Sequence, residues 1–276
     1  MKILYIAHIR LPTERAHGVQ IMKMCSAFTK LGNEVELIVP NRFNHLKDDP
    51  FSYYGEKKIF DIKKVFSFDF DLGKLGRIKF WIQYLSFIVS SVYYVFRKKP
   101  DLVYVREIVL AFVFSILGVN VIFEDHELPR SNMFLYGFFL KRIKKKVLVA
   151  YNLRDIYKQL NIENNSYITE PNGVDIEEFD VIEREKSMWR KYNVKEGTPV
   201  VLYVGHFYPW KGVYTLLDSI QKISENAITI LVGGTVENMG DVNKYIFKDE
   251  LESGCSIFSI DDRSSGGGGS NPFLFS

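Results

Sequence analysis

The segment Lys2–Val39, KILYIAHIRLPTERAHGVQIMKMCSAFTKLGNEVELIV, decides the fold. It opens with Lys2 to Ala7, a short aliphatic run with the length and composition of a first buried strand. A polar stretch from His8 to Gly18 follows. Val19 to Leu31 then places Ile21, Met24, Cys25, Phe28 and Leu31 on one helical face, and Gly32-Asn33 ends the helix. Glu34 to Val39 supplies a second strand, and Pro40-Asn41 a turn. Strand, helix and strand in so short a span predict a βαβ unit of a parallel sheet.

The same alternation continues outward from this unit. Leu102 to Val105, Val119 to Phe123, Val147 to Ala150 and Tyr167 to Thr169 are candidate strands with helical segments between them. Such a series predicts a sheet covered on both faces, with ligands at the carboxyl ends of its strands. The pattern changes near Pro171-Asn172-Gly173-Val174-Asp175, and the charged stretch from Glu177 to Lys195 marks a domain junction. A second series then begins with strand Val200 to Val204. It continues with a loop through Gly212 and a helix carrying Val213, Leu216, Leu217, Ile220 and Ile223 on one face. Strand Ile228 to Val232 follows, ending in Gly233-Gly234. Beyond a weak helix around Val242 to Leu251 and a strand at Ser256 to Ile260, the sequence becomes a Gly/Ser tract of the flexible-linker type. The expected fold class is therefore α/β, with two Rossmann-like domains of which the second is incomplete. Residues 1–176 form the first domain, 177–198 a hinge, 199–262 a partial second domain and 263–276 a disordered tail.

Composition narrows the function classes. With 276 residues, 47% hydrophobic and 25% charged, the chain can bury more than one core. A net charge of +3 lacks the basic footprint of a nucleic-acid binder, so no nucleic-acid partner is expected. Cys25 and Cys255 are far apart and form no Cys-x-x-Cys pair, which disfavours a disulfide framework or a zinc site and suits the cytoplasm. The apolar stretch after Met1 is too short for a signal peptide. The longest apolar run, Phe80 to Phe96, is interrupted by Gln83, Ser86, Ser90 and Ser91, which favours a buried helix over a membrane span or interfacial segment. Phe134 to Leu140, followed by the basic run Lys141 to Lys146, is most simply a buried helix and a solvated charge run. The alternative is peripheral contact with an anionic membrane at its inner face, which would suit a lipid-linked acceptor.

The sharpest chemical signal is Val204-Gly205-His206-Phe207-Tyr208-Pro209-Trp210-Lys211-Gly212, between a strand and a helix. Backbone N–H groups at a strand-to-helix loop favour anions, and a Lys ammonium suits a phosphate. The segment is neither a Walker A loop nor a Gly-x-Gly-x-x-Gly fingerprint. Gly205-His206 through Lys211-Gly212 resembles the phosphate loop of family 4 retaining glycosyltransferases of the GT-B fold. The commonest pattern there is Gly-Arg-Leu, three variable residues, then Lys-Gly. The resemblance implies that Lys211 and His206 contact the donor diphosphate; His206 stands where the pattern has Arg and offers fewer donors.

Three further segments match that family in the same order. Ala16-His17-Gly18-Val19 corresponds to a Gly-rich loop whose backbone approaches the donor phosphates, which gives Gly18 a phosphate role. Phe123-Glu124-Asp125-His126-Glu127-Leu128-Pro129 resembles the segment carrying an active-site His, so that His126 joins Lys211 as a candidate catalytic residue. Pro171-Asn172-Gly173-Val174-Asp175 matches a motif near the passage between domains, where Asn172-Gly173 would supply a sharp turn through a positive φ. Gly233 and Gly234 resemble a loop close to the nucleotide. The implied substrates are a nucleoside-diphosphate sugar and a carbohydrate or lipid-linked acceptor, with no tightly bound cofactor or metal. The family's pair of glutamates separated by seven residues does not occur after Gly234. That gap keeps open a rival reading, a truncated remnant acting only as a binding domain.

Overall fold

A computed structural model describes residues 1–69, 76–126, 132–177, 195, 197–222, 227–233, 239–242, 244 and 255–258. The chain divides into two units, Met1–Val174 and Asp175–Ser276. In the first, strands β1 (Lys2–Ile6), β2 (Glu34–Pro40), β3 (Asp61–Val65), β4 (Leu102–Val105), β5 (Val121–Asp125), β6 (Lys145–Leu148) and β7 (Tyr167–Thr169) form one sheet in the order β3-β2-β1-β4-β5-β6-β7. Every pairing is parallel. The helices between them are α1 (Ala16–Lys30), α2 (Pro50–Tyr54), α3 (Gly76–Lys98), α4 (Ile108–Ile116), α5 (Met133–Arg142) and α6 (Leu153–Gln159).

Alternation along β1 explains why both faces are covered. Ile3, Tyr5 and Ala7 enter a core with Ile21, Met22 and Cys25 of α1 and Phe51 of α2. Leu4 and Ile6 enter the opposite core with Phe87 of α3, Leu110 and Phe114 of α4, Leu140 of α5 and Tyr157 of α6. Side chains at successive strand positions point to opposite faces, so one continuous apolar run feeds two helical layers. The chain order reverses between β1 and β4. In a doubly wound sheet such a switch point opens a crevice at the carboxyl ends of the two strands.

Several sequence expectations need correction. α1 begins at Ala16, not Val19, so Gly18 belongs to its first turn and not to a loop. Leu31 lies beyond the helix and is exposed, because Gly32 with φ 82° ends the turn just after it. β3 was not expected; it is an edge strand with mostly polar residues, whose pattern hides its period. β5 runs on through Glu124 and Asp125, which are buried yet hydrogen-bonded, and β6 starts early at Lys145. Lys146 is only 3% exposed. Its ammonium donates to the carbonyls of Ile143 and Leu140, so the basic run is not wholly solvated.

The Phe80–Phe96 run is a surface helix, not a buried one. On α3, Tyr84, Phe87, Ile88, Ser91 and Val95 are buried, while Ile78, Trp81, Ile82, Leu85, Val89, Tyr93 and Phe96 are exposed. No helix of the described residues is long and apolar enough to cross a membrane.

In the second unit, β8 (Val200–Val204), β9 (Ile228–Val232) and β10 (Cys255–Phe258) pair in parallel in the order β10-β9-β8. Helix α7 (Val213–Ser219) connects the first two and continues as a 3-10 turn, Ile220–Lys222. Phe207, Val213, Leu217, Leu231 and Val242 form its core. Ile223 and the 263–276 tail fall outside the described residues, as do most of the hinge and of the weak helix.

Candidate functional site

His126 follows β5, and its Nε2 lies 2.6 Å from Oε1 of Glu124. Gln20, on α1, donates from Nε2 to the same carboxylate oxygen at 2.7 Å, and Arg106, after β4, donates to Oε1 of Gln20 at 2.7 Å. The Tyr5 hydroxyl meets the other carboxylate oxygen at 3.4 Å. Burial pushes the Glu124 carboxyl up. The His126 ring, Gln20 and Arg106 outweigh that and hold it below the ordinary carboxylate range. The result is a fixed anion whose hydrogen bonds aim the imidazole from the end of a strand. Behind it, Asp125 accepts from the hydroxyls of Tyr136 and, at 2.8 Å, Tyr157, which anchors the strand end into α5 and α6.

Gly18 stands beside this network for a packing reason. A Cβ there would lie 2.1 Å from the hydroxyl of Tyr54. That hydroxyl bridges the N–H and the carbonyl of Thr13, each at 2.8 Å, and so fixes the segment entering α1. Arg15, at the N-cap of α1, makes no side-chain capping hydrogen bond, and the first turn holds no acidic residue. Asn172 joins the same cluster, its Oδ1 lying 3.4 Å from Nε2 of Gln20. Gly173 corrects the expectation of a positive-φ turn: it lies outside the left-handed region, with open space around it.

The second unit assembles its loops from Gly205 to Gly212 and at Gly233. Gly205 donates its N–H to the carbonyl of Val232 at 2.9 Å, and a Cβ on Gly233 would meet the Gly205 carbonyl oxygen at 2.0 Å. The two strand ends therefore touch backbone to backbone. Phe207 is buried and pins the loop into the core, while Tyr203 donates its hydroxyl to the carbonyl of His206 at 2.8 Å. The 3-10 turn Pro209–Lys211 ends at Gly212, φ 81°, from which α7 departs. His206 and Lys211 are both left exposed at the loop surface. A loop tied down at Gly205 and Phe207, with an exposed ammonium and an exposed imidazole that packs on Tyr208, can receive a phosphate. Gly234 lies outside the described residues.

The sequence did not signal Gln20, Arg106 or Glu124 as parts of one network. Arg106 and Glu124 sit at or just past strand ends, which is the available cue, but their convergence depends on the strand order. Among the described residues no three His, Cys, Asp or Glu side chains converge as a metal site would require.

A seven-stranded parallel unit followed by a second parallel βαβ unit defines the α/β architecture of the GT-B type, two Rossmann-like domains in one chain. Three solved structures carry it at similar closeness. HepE of Anabaena, solved in complex with UDP, is 14% identical with a TM-score of 0.68, over 95% of this chain and 70% of that one. A glycosyltransferase from Rickettsia africae is 15% identical with a TM-score of 0.67, over 94% and 68%. Sucrose-phosphate synthase from Thermosynechococcus elongatus is 13% identical with a TM-score of 0.68, over 93% and 69%. No protein-family model and no curated protein matches the sequence.

Proposed function

We propose that this chain is a glycosyltransferase that moves a sugar from a nucleoside-diphosphate sugar to an acceptor hydroxyl with retention of configuration, in polysaccharide or glycolipid synthesis. The observation that carries the reading is the Gly205–Gly212 loop. Its backbone is locked against Gly233 and its core residue Phe207, and it presents Lys211 at the surface. Lys211 stabilises charge on the leaving diphosphate, assisted by His206 and by backbone groups near Gly205 and Gly233. In the first unit His126, held by Glu124, contacts the donor sugar, and Gly18 brings the start of α1 toward the donor phosphates. Asn172 and Gly173 set the chain's path out of that unit. Catalysis of this kind rests on positioning and electrostatics and calls for no resident cofactor. UDP complexes among the structural neighbours support a nucleotide ligand.

Contact with the inner face of a membrane, and a cytoplasmic location, fit the same reading. The exposed stripe Trp81, Leu85, Val89 and Tyr93 on α3 is bordered by Lys79 on one side and by Arg97, Lys98 and Lys99 on the other. Apolar side chains flanked by cations suit an anionic bilayer. Phe134, Leu135 and Phe138 on α5 are likewise exposed before Lys141 and Arg142.

The test is release of nucleoside diphosphate from a panel of sugar nucleotides including UDP-glucose. Release that falls at least about tenfold in Lys211→Ala supports the reading, given the worth of a charge-assisted contact. Release that is absent for every donor, or indifferent to Lys211, refutes it. The rival reading is a binding-only domain, which any Lys211-dependent release excludes.

A further inference from the structure

We propose that Gln20 and Arg106 are positioning residues that act through Glu124 to hold the His126 ring as its Nε2–H tautomer, leaving Nδ1 as a hydrogen-bond acceptor for a sugar hydroxyl. In placing a sugar against that nitrogen, the proposal rests on the transferase reading above; the tautomer and its control by Gln20 do not.

The partners of the Gln20 amide leave it one orientation. Arg106 can only donate, and its Nη1 lies 2.7 Å from Oε1 of Gln20. An ionised Glu124 can only accept, and its Oε1 lies 2.7 Å from Nε2 of Gln20. Turning the amide over would set its N–H groups against the guanidinium and its oxygen against a carboxylate. The same amide nitrogen also donates to Oδ1 of Asn172 at 3.4 Å. Nη1 of Arg106 reaches the carbonyl of His17 at 3.5 Å, which ties the guanidinium to the turn of α1 that carries Gln20. Gln20 thereby joins α1 to the residues that follow β4 and β7 and to the end of β5.

That amide settles where the next proton lies. Glu124 is 2% exposed and ionised at neutral pH, since burial, which pushes its carboxyl up, is outweighed by His126, Gln20 and Arg106. Its Oε1 receives Nε2 of Gln20 and also stands 2.6 Å from Nε2 of His126. A carboxylate oxygen that only accepts requires a proton on the ring nitrogen at that distance. In a neutral imidazole a proton on Nε2 leaves Nδ1 bare. No group among the described residues bonds to Nδ1, and the atom is not sealed in, for the side chain is 16% exposed. A bare nitrogen of this kind suits a hydroxyl, which can donate. A ligand carboxylate or phosphate oxygen has no proton to give and would also meet the Glu124 charge.

Gln20 matters because it and the imidazole share one carboxylate oxygen. The other oxygen has only the longer contact from the Tyr5 hydroxyl, at 3.4 Å, so Gln20 sets where Oε1 stands and the ring follows. Arg106 acts one step further back, by keeping the amide from turning over. Removing either should release the tautomer, Gln20 more completely than Arg106.

The test is long-range proton–nitrogen correlation NMR on the full chain, isotopically labelled at its five histidines, with His126 assigned by the signals lost in His126→Gln. Spectra are taken well above the ordinary histidine pKa, where the rings are neutral. The expected result is a single tautomer in the parent, protonated at Nε2 and bare at Nδ1. Gln20→Met and Arg106→Met, which keep chain length and remove the donors, move part of the population to the Nδ1–H form, Gln20→Met by more. UDP-glucose shifts the Nδ1 resonance of the parent and UDP alone does not. The concentration of UDP-glucose that gives half the shift rises about two- to tenfold in Gln20→Met, the worth of one neutral hydrogen bond. If Gln20→Met fails to fold, Arg106→Met decides, because it leaves Glu124 and its contacts with Gln20 and the ring in place. A parent ring protonated at Nδ1, or one tautomer common to parent and both variants, overturns the positioning role even where the ring responds to UDP-glucose. With the tautomer as expected, a ring that ignores UDP-glucose overturns the sugar assignment and the transferase reading behind it.

Discussion

A Cβ on Gly233 would stand 2.0 Å from the carbonyl oxygen of Gly205, so the ends of β8 and β9 meet with no room for a side chain. Gly205 in turn donates its N–H to the carbonyl of Val232. This backbone contact sets the geometry of the loop that presents His206 and Lys211, which makes a conformational constraint in one loop a condition for the chemistry of another.

Gly233→Ala must displace that contact and also place a β-carbon at φ 131°. The expected loss is about 3 kcal/mol of second-unit stability, from overpacking and backbone strain together. Gly212→Ala, at φ 81° with nothing within 4 Å, carries only the left-handed penalty of about 1 kcal/mol. Urea unfolding of the two variants in a Trp81→Phe, Trp189→Phe background, followed by the fluorescence of Trp210, checks the ranking; equal losses would show that the two strand ends are not in contact.

The network around Glu124 sets an acid limit. Its folded carboxyl lies below the ordinary range, so its contribution is fully present above the unfolded pKa and is lost as pH falls through the folded one. Glu124→Gln is therefore expected to flatten the stability curve below the ordinary carboxylate range. His126→Ala is expected to cost about 1–3 kcal/mol at neutral pH by leaving a buried carboxylate with fewer donors. Denaturation midpoints measured across acid pH compare both with the parent, and an unchanged profile in Glu124→Gln would remove Glu124 from this role.

His8 supplies a second pH dependence in a higher window. Burial, and then Arg42, bring its folded value to about 4, below the ordinary 6.5. The unfolded chain therefore takes up a proton first, and stability declines as pH falls from 6.5 toward 4. The difference corresponds to about 3 kcal/mol. In His8→Phe this part of the decline should vanish; parallel curves for parent and variant would mean that His8 is not held neutral by the fold.

The exposed stripe on α3 predicts a partition. The parent chain should sediment with vesicles rich in phosphatidylglycerol, less so as salt is added, since the cations bordering the stripe act through a screened field. The variant Trp81→Ser, Leu85→Ser, Val89→Ser should remain in the supernatant. Equal sedimentation of parent and variant would contradict the assignment of this face.

Much of the architecture was legible because β1, β4, the Leu37–Val39 stretch of β2 and the first two strands of the second unit are apolar runs between turn residues, a pattern that a two-faced parallel sheet imposes. β3 escaped because an edge strand needs few apolar residues, and its sequence DIKKV carries only two. The ends of β5 and β6 were misplaced for a related reason. Glu124, Asp125 and Lys146 look like loop residues until His126, Tyr136, Tyr157 and the carbonyls at the end of α5 are seen to satisfy them. α3 was read as buried because composition reports how apolar a helix is, not what covers it. The phosphate-loop residues were legible as a local motif. The Gln20–Glu124–Arg106 network and the His8–Glu107 pair were not, since each joins residues roughly a hundred positions apart through a strand order that no local pattern encodes.

The central claim is that Lys211 and the loop behind it bind a nucleoside diphosphate, and isothermal titration calorimetry of UDP, GDP and ADP into the parent and Lys211→Ala tests it most directly. The account predicts that at least one of the three binds the parent, and that the variant binds it about tenfold more weakly, as the loss of one charge-assisted phosphate contact requires. Equal affinity in the two proteins, or no heat from any of the three nucleotides, would contradict it.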